Sequence, residues 1–95
     1  MGTMIVGSLK ARLLIRGSQS LKDKRQVVRS ILDRLRNQFN VSAAEVEARD
    51  HRQLVVLGFA MVGQEARAVR EVLEKVVSAL RCHPVAEFLD HELEA

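Results

Sequence analysis

Hydrophobic periodicity along this chain switches between two and about 3.6 in an order that few folds satisfy. From Met4 to Arg16 the residues alternate, with Gly7, Leu9, Ala11, Leu13 and Ile15 on one side and Ser8, Lys10, Arg12, Leu14 and Arg16 on the other. Such alternation predicts a strand with one buried face. Gly17-Ser18 supplies a turn, and Ser20, which can accept from a first-turn N–H, predicts a helix from Leu21 to about Gln38, with Asp23 reaching back to the cap N–H. Asn37 and Asn40 are its expected stop. Val41 to Ala48 alternates again, as a short edge strand of small residues, and Arg49-Asp50-His51-Arg52 is a polar connection. Leu54 to Val62 is a near-continuous β-branched and apolar run, the pattern of a central strand. A second helix is predicted over Gln64 to Arg81, ended by Pro84, with an acidic last strand from Val85 to Leu93.

The order β-α-β-β-α-β, with two long crossover helices and a tight connection between the second and third strands, is the split βαβ pattern of the ferredoxin-like fold. The expected architecture is α+β, with a four-stranded antiparallel or mixed sheet and both helices on one face. Right-handed crossovers place strands one and three in the middle. Val55, Leu57, Phe59 and Met61 are then expected to face the helices and Leu54, Val56, Ala60 and Val62 the open side. Val6 and Leu14 join that open side, making an apolar patch that predicts a cover, most simply a second copy of the chain. Lys10, Arg12 and Arg16 border the patch and are expected to meet acidic residues such as Glu45 or Glu47 of that copy.

Ninety-five residues, 47% of them hydrophobic, predict one domain spanning 1–95, with Met1-Gly2-Thr3 ahead of Met4 reading as either disordered or cloning-derived. No apolar run approaches the roughly 18–20 residues needed to cross a bilayer, no secretory leader is evident, and one cysteine, Cys82, cannot pair within the chain. These features predict a cytoplasmic protein without membrane contact. The net charge of +3 is unevenly placed: residues 1–40 carry nine Lys/Arg against two Asp/Glu, residues 41–95 six against ten. That asymmetry predicts an anionic partner for the first part of the chain.

The first helix concentrates the asymmetry. Stepping about 100° per residue, Leu21, Val28, Ile31, Leu32, Leu35 and Phe39 form one apolar stripe, while Lys22, Arg25, Arg29 and Arg36 cluster on the opposite side. Lys24 falls on the apolar side, from which its ammonium is expected to extend past the sheet end into water. The second helix turns Val69, Val72, Leu73, Val76 and Leu80 inward and is self-neutralising, with Arg67–Glu71, Arg70–Glu74 and Glu71–Lys75 four residues apart.

Ser20-Leu21-Lys22-Asp23-Lys24-Arg25, followed by Phe39-Asn40-Val41-Ser42-Ala43-Ala44-Glu45-Val46 and by Gly58, resembles the small YlxP-like proteins of bacteria over essentially the whole chain. The resemblance implies a ferredoxin-like domain in a translation setting, since the genes of such proteins often stand beside those for translation initiation and ribosome maturation factors. It implies no catalytic residues. Asp50-His51-Arg52-Gln53 departs from the D-x-W-Q segment of relatives, which carry an aromatic there.

Reaction chemistry finds little purchase. Cys82-His83 has no second ligand pair for zinc, and His51 and His91 stand alone. Adjacent Cys and His side chains diverge and need a third group to act as nucleophile and base. Glu87, Asp90, Glu92 and Glu94 read as an acidic strand edge that discourages sheet pairing. Gly58 and Gly63 stand singly, outside any phosphate-loop motif. With no Trp or Tyr and only Phe39, Phe59 and Phe88, base stacking on the sheet is not expected. The expectation is therefore a non-enzymatic accessory module, without metal, cofactor or small-molecule substrate, that binds ribosomal or other structured RNA. The binding set is Lys22, Lys24, Arg25, Arg29 and Arg36, joined by Lys10, Arg12 and Arg16. The alternative is a homo-oligomeric protein–protein adaptor with no nucleic-acid binding.

Overall fold

The computed structural model describes residues 4–95; the reading of Met1-Gly2-Thr3 lies outside the described residues. Its elements are β1 (Ile5–Leu14), α1 (Leu21–Gln38), β2 (Ser42–Glu47), β3 (Leu54–Gly63), α2 (Ala66–Arg81) and β4 (Glu87–Glu94). The sheet order is β2-β3-β1-β4, and every neighbouring pair is antiparallel, so the sheet is not mixed. This is the ferredoxin-like arrangement. β2 runs parallel to β1 with β3 between them, so its C-terminal end lies at the same end of the sheet as the start of α1.

The α1 boundaries follow from local chemistry. Ser20 is extended, and its Oγ accepts from the Asp23 N–H at 3.1 Å. The Asp23 carboxylate reaches the Gln19 N–H at 3.4 Å, one residue ahead of the cap, rather than the cap N–H itself. At the other end Phe39 turns extended while its N–H still bonds to the Leu35 carbonyl at 2.8 Å. Asn37 lies inside the helix, so the stop is the backbone change at Phe39. α2 starts two residues later than the periodicity suggested, with an extended Glu65 in its cap position making no side-chain cap bond.

The core lies between the helices and one sheet face. Leu9, Ala11 and Leu13 of β1 and Val55, Leu57 and Phe59 of β3 meet Val28, Ile31, Leu32 and Leu35 of α1 and Val69, Leu73, Val76, Val77 and Leu80 of α2. Gly7 belongs to this face because α2 lies close over it: a methyl there would overlap Val69 and touch Leu73. Each edge strand carries one extra residue against its neighbour. Val46 interrupts the β2–β3 register between Glu45 and Glu47, and Leu89 interrupts β4 opposite Arg12 and Leu13. Such bulges twist an edge away from further pairing.

Candidate functional site

The outer face of α1 emerges as read, with Lys22, Arg25, Arg29 and Arg36 exposed. Among the described residues Lys22, Arg25 and Arg29 have no ion-pair partner. Arg36 is engaged: one guanidinium nitrogen lies 3.2 Å from Asp33 and another donates to the Ala43 carbonyl on β2 at 2.5 Å. Between α1 and β2 runs a groove of about 400 Å³, walled by Arg25, Arg29, Arg36 and Arg49 and floored by Val28, Leu32, Ala44 and Glu45. Arg49 was not in the sequence-derived set, where it read as part of a polar connection. Its signal was topological: a residue directly after β2 returns to the end of the sheet where α1 begins.

Lys24 is a correction. Its ammonium does not stay wet; the residue is fully buried, with 0% of its surface exposed, and it is unavailable to a partner. Nζ donates to the Ala48 carbonyl at 2.6 Å and lies 2.9 Å from Glu45 Oε2, whose side chain is 11% exposed. The reason is the facing of β2. Glu45 sits opposite Leu57, on the helix side of the sheet, and so supplies the countercharge that a buried ammonium requires. Oε2 is itself buried and lies within ion-pair range of Lys24 without receiving a directed hydrogen bond, so the contact is mainly Coulombic. The two halves of the sequence motif, Ser20–Arg25 and Phe39–Val46, meet through this pair.

The sheet-face cations are also accounted for within the chain. Lys10 pairs with Glu47, Arg12 with both carboxylate oxygens of Asp90, the Nε–Oδ1 contact being 2.7 Å, and Arg16 with Glu87 at 3.1 Å. Hydrogen bonding to Glu47 holds the Lys10 ammonium above its usual range, and Arg12 holds the Asp90 carboxyl below its own. Glu47 thus meets Lys10 of its own chain, and Glu45 points to the helix side. These exposed pairs contribute little stability, but they remove Lys10, Arg12 and Arg16 from the reserve of unpaired charge. The apolar patch is also smaller than its sequence suggested. Val6 and Val62, paired in register, are 59% and 58% exposed, whereas Leu14, Leu54 and Ala60 are half-buried and Val56, flanked by Arg12 and Glu47, is 2% exposed. On α2 the only one of the three expected pairs that forms is Arg67–Glu71, at 3.4 Å.

The histidines serve local structure. His51 Nδ1 accepts from the N–H groups of Gln53 and Leu54 at 3.1 and 2.8 Å, closing the β2–β3 connection. Gln53 then donates to the Arg16 carbonyl at 3.0 Å, tying that connection to the turn between β1 and α1. His91 lies against Phe88, over whose ring Arg81 also stacks at 4.5 Å. Cys82 is exposed, beside a cavity of about 270 Å³ lined by Arg34 and His83. Burial, and secondarily Arg34, pushes the His83 pKa below its ordinary 6.5. The fold therefore resists a proton that the unfolded chain accepts. The stability this contributes is present above about pH 6.5 and is lost as the pH falls through that value toward the lower folded pKa. Melting temperature should fall between about pH 7.5 and about pH 5.5, and His83→Gln should make that fall shallower. Parallel curves for the two proteins would show that His83 has no part in it.

Taken together, an antiparallel four-stranded sheet with two helices on one face and a basic outer helix define a ferredoxin-like α+β domain, in which no helix among the described residues is long and apolar enough to cross a membrane. The chain belongs to the family described as "Protein of unknown function (DUF503)", which matches residues 6–93. It is similar to "Uncharacterized protein YlxP" of Bacillus subtilis (strain 168), 31% identical over 83 residues that cover 87% of this chain and 90% of that protein.

Proposed function

We propose that this protein is a non-enzymatic cytoplasmic accessory module that binds ribosomal or other structured RNA by its backbone, through the outer face of α1. The observation that carries the reading is the contrast between two basic surfaces. On the sheet, Lys10, Arg12 and Arg16 are each paired within the chain, while on α1 Lys22, Arg25 and Arg29 have no partner among the described residues. Unpaired arginines along a rigid helix suit phosphate oxygens, whose attraction is indifferent to sequence. The aromatics agree: Phe59 is buried on the helix side, and Phe39 and Phe88 are packed against the core, so none offers an open platform for bases.

Filter binding to a ribosomal RNA fragment across a salt series tests this. Three or four phosphate contacts predict a log–log slope of about −3, hence roughly a 60-fold loss of affinity between about 50 and about 200 mM salt. Arg25→Glu should weaken binding strongly while leaving the fold intact. Affinity indifferent to salt would exclude phosphate recognition. The adaptor reading is favoured by a different observation, the exposed Val6–Val62 pair at one end of the sheet. A partner recovered equally from nuclease-treated and untreated lysate would support it instead.

A further inference from the structure

We infer that Arg49 is a binding residue, and that the groove between α1 and β2 is a two-sided cradle for an RNA phosphodiester, with Arg25 and Arg29 on the helix wall and Arg49 on the other. The inference rests on the RNA-backbone reading and adds to it a ligand position and a residue outside α1. Arg49 is exposed, faces the same groove as Arg25 and Arg29, and has no ion-pair partner among the described residues. The fourth arginine, Arg36, is held against Ala43 and Asp33 and closes the far end. Glu45 is the one acid in the groove, and Lys24 neutralises it from beneath. A guanidinium presents paired N–H donors in a plane that matches two phosphate oxygens, and several of them around one groove make a site for a phosphate group.

What marks the groove as built, rather than a chance gathering of surface charge, is how Arg49 is held. The preceding residue, Ala48, has φ 56, a left-handed conformation that residues with a side chain seldom adopt. Its carbonyl accepts twice, from the His51 N–H at 3.0 Å, which closes the turn containing Arg49, and from Lys24 Nζ at 2.6 Å. Lys24 is fully buried and is itself anchored by Glu45. A backbone outlier secured by a buried charge, directly before an unpaired arginine, is the pattern expected where surrounding structure enforces a local geometry for function. Lys24 and Glu45 are then positioning residues that never touch the ligand.

The test follows the arginine Nε–Hε resonances of the ¹⁵N-labelled protein during titration with inorganic pyrophosphate, and separately with a short duplex RNA hairpin. Arg25, Arg29 and Arg49 should move together with the hairpin while Arg70, exposed on α2, does not. In filter binding Arg49→Ala should lose about tenfold in affinity and make the salt slope shallower by about 0.9, with the charge-matched Arg70→Ala within about twofold of the parent. Lys24→Met combined with Glu45→Leu, which keeps the interior neutral, should lose about as much as Arg49→Ala. Adding Arg49→Ala to that pair should then lose little more. If the hairpin binds and moves Arg25 but not Arg49, the cradle is wrong while the RNA reading stands. If pyrophosphate moves all three and the hairpin moves none, the ligand is a free phosphate compound and the RNA assignment is overturned. If the losses from the Lys24/Glu45 pair and from Arg49→Ala multiply independently, the positioning role is overturned.

Discussion

Glu45→Leu is expected to destabilise the domain by about 3–5 kcal/mol, because it strands the Lys24 ammonium in a fully buried site with only the Ala48 carbonyl as partner. For a domain of this size each kcal/mol shifts the melting temperature by about 4 °C or more, so the midpoint should fall by about 12 °C or more. The double substitution Lys24→Met/Glu45→Leu should recover most of that loss. It removes both charges, and the desolvation they carry, while keeping similar volumes packed between α1 and β2. The Ala48 carbonyl would keep its bond from the His51 N–H and so would not be orphaned. Thermal melts of the parent, the single and the double variant decide the matter. A Glu45→Leu midpoint within about 3 °C of the parent would mean that the ammonium reaches water without its partner, and the buried pair would then be incidental.

That pair also shows where reading along the chain succeeds and where it stops. The helical angle correctly placed Lys24 on the apolar side of α1, and what it could not supply was the partner. Glu45 lies in another element, and only the pairing of β2 with β3 decides that Glu45, rather than Ala44, faces the helix. A buried lysine and a snorkelling one look alike until a countercharge arrives from elsewhere. Arg49 escaped for a related reason: nothing local distinguishes it from Asp50 or Arg52, and its place in the groove depends on β2 ending beside the start of α1. By contrast the element order, the bounds of α1 and most of the core followed from periodicity and the Ser20 cap, which are local signals, and the strand order then followed from the handedness of the crossovers. The Arg12–Asp90 pair was hidden by register, since a one-residue slip changes which acid stands opposite the cation, and the Lys10–Glu47 pair by strand order, since it reaches across β3.

Val56→Glu should destabilise the monomer by about 2–4 kcal/mol, whereas Val62→Glu should change its stability by no more than about 0.5 kcal/mol. Alternation gives the two valines the same side of β3, but their neighbours differ. Val56 stands between Arg12 and Glu47 in the two adjoining strands and is 2% exposed; Val62 stands opposite Val6 near the strand end and is 58% exposed. A carboxylate at 56 would lose most of its hydration, and the cation opposite it in the register, Arg12, is already engaged by Asp90. A carboxylate at 62 remains in water. The contrast makes Val62→Glu the sound probe of self-association through the open sheet face, because loss of an oligomer after Val56→Glu is indistinguishable from loss of the fold. If that face pairs two copies, sedimentation equilibrium at about 100 μM should show a dimer for the parent and a folded monomer for Val62→Glu. A parent that sediments as a monomer at that concentration would leave the Val6–Val62 end of the sheet as ordinary exposed surface and remove the basis for the adaptor reading.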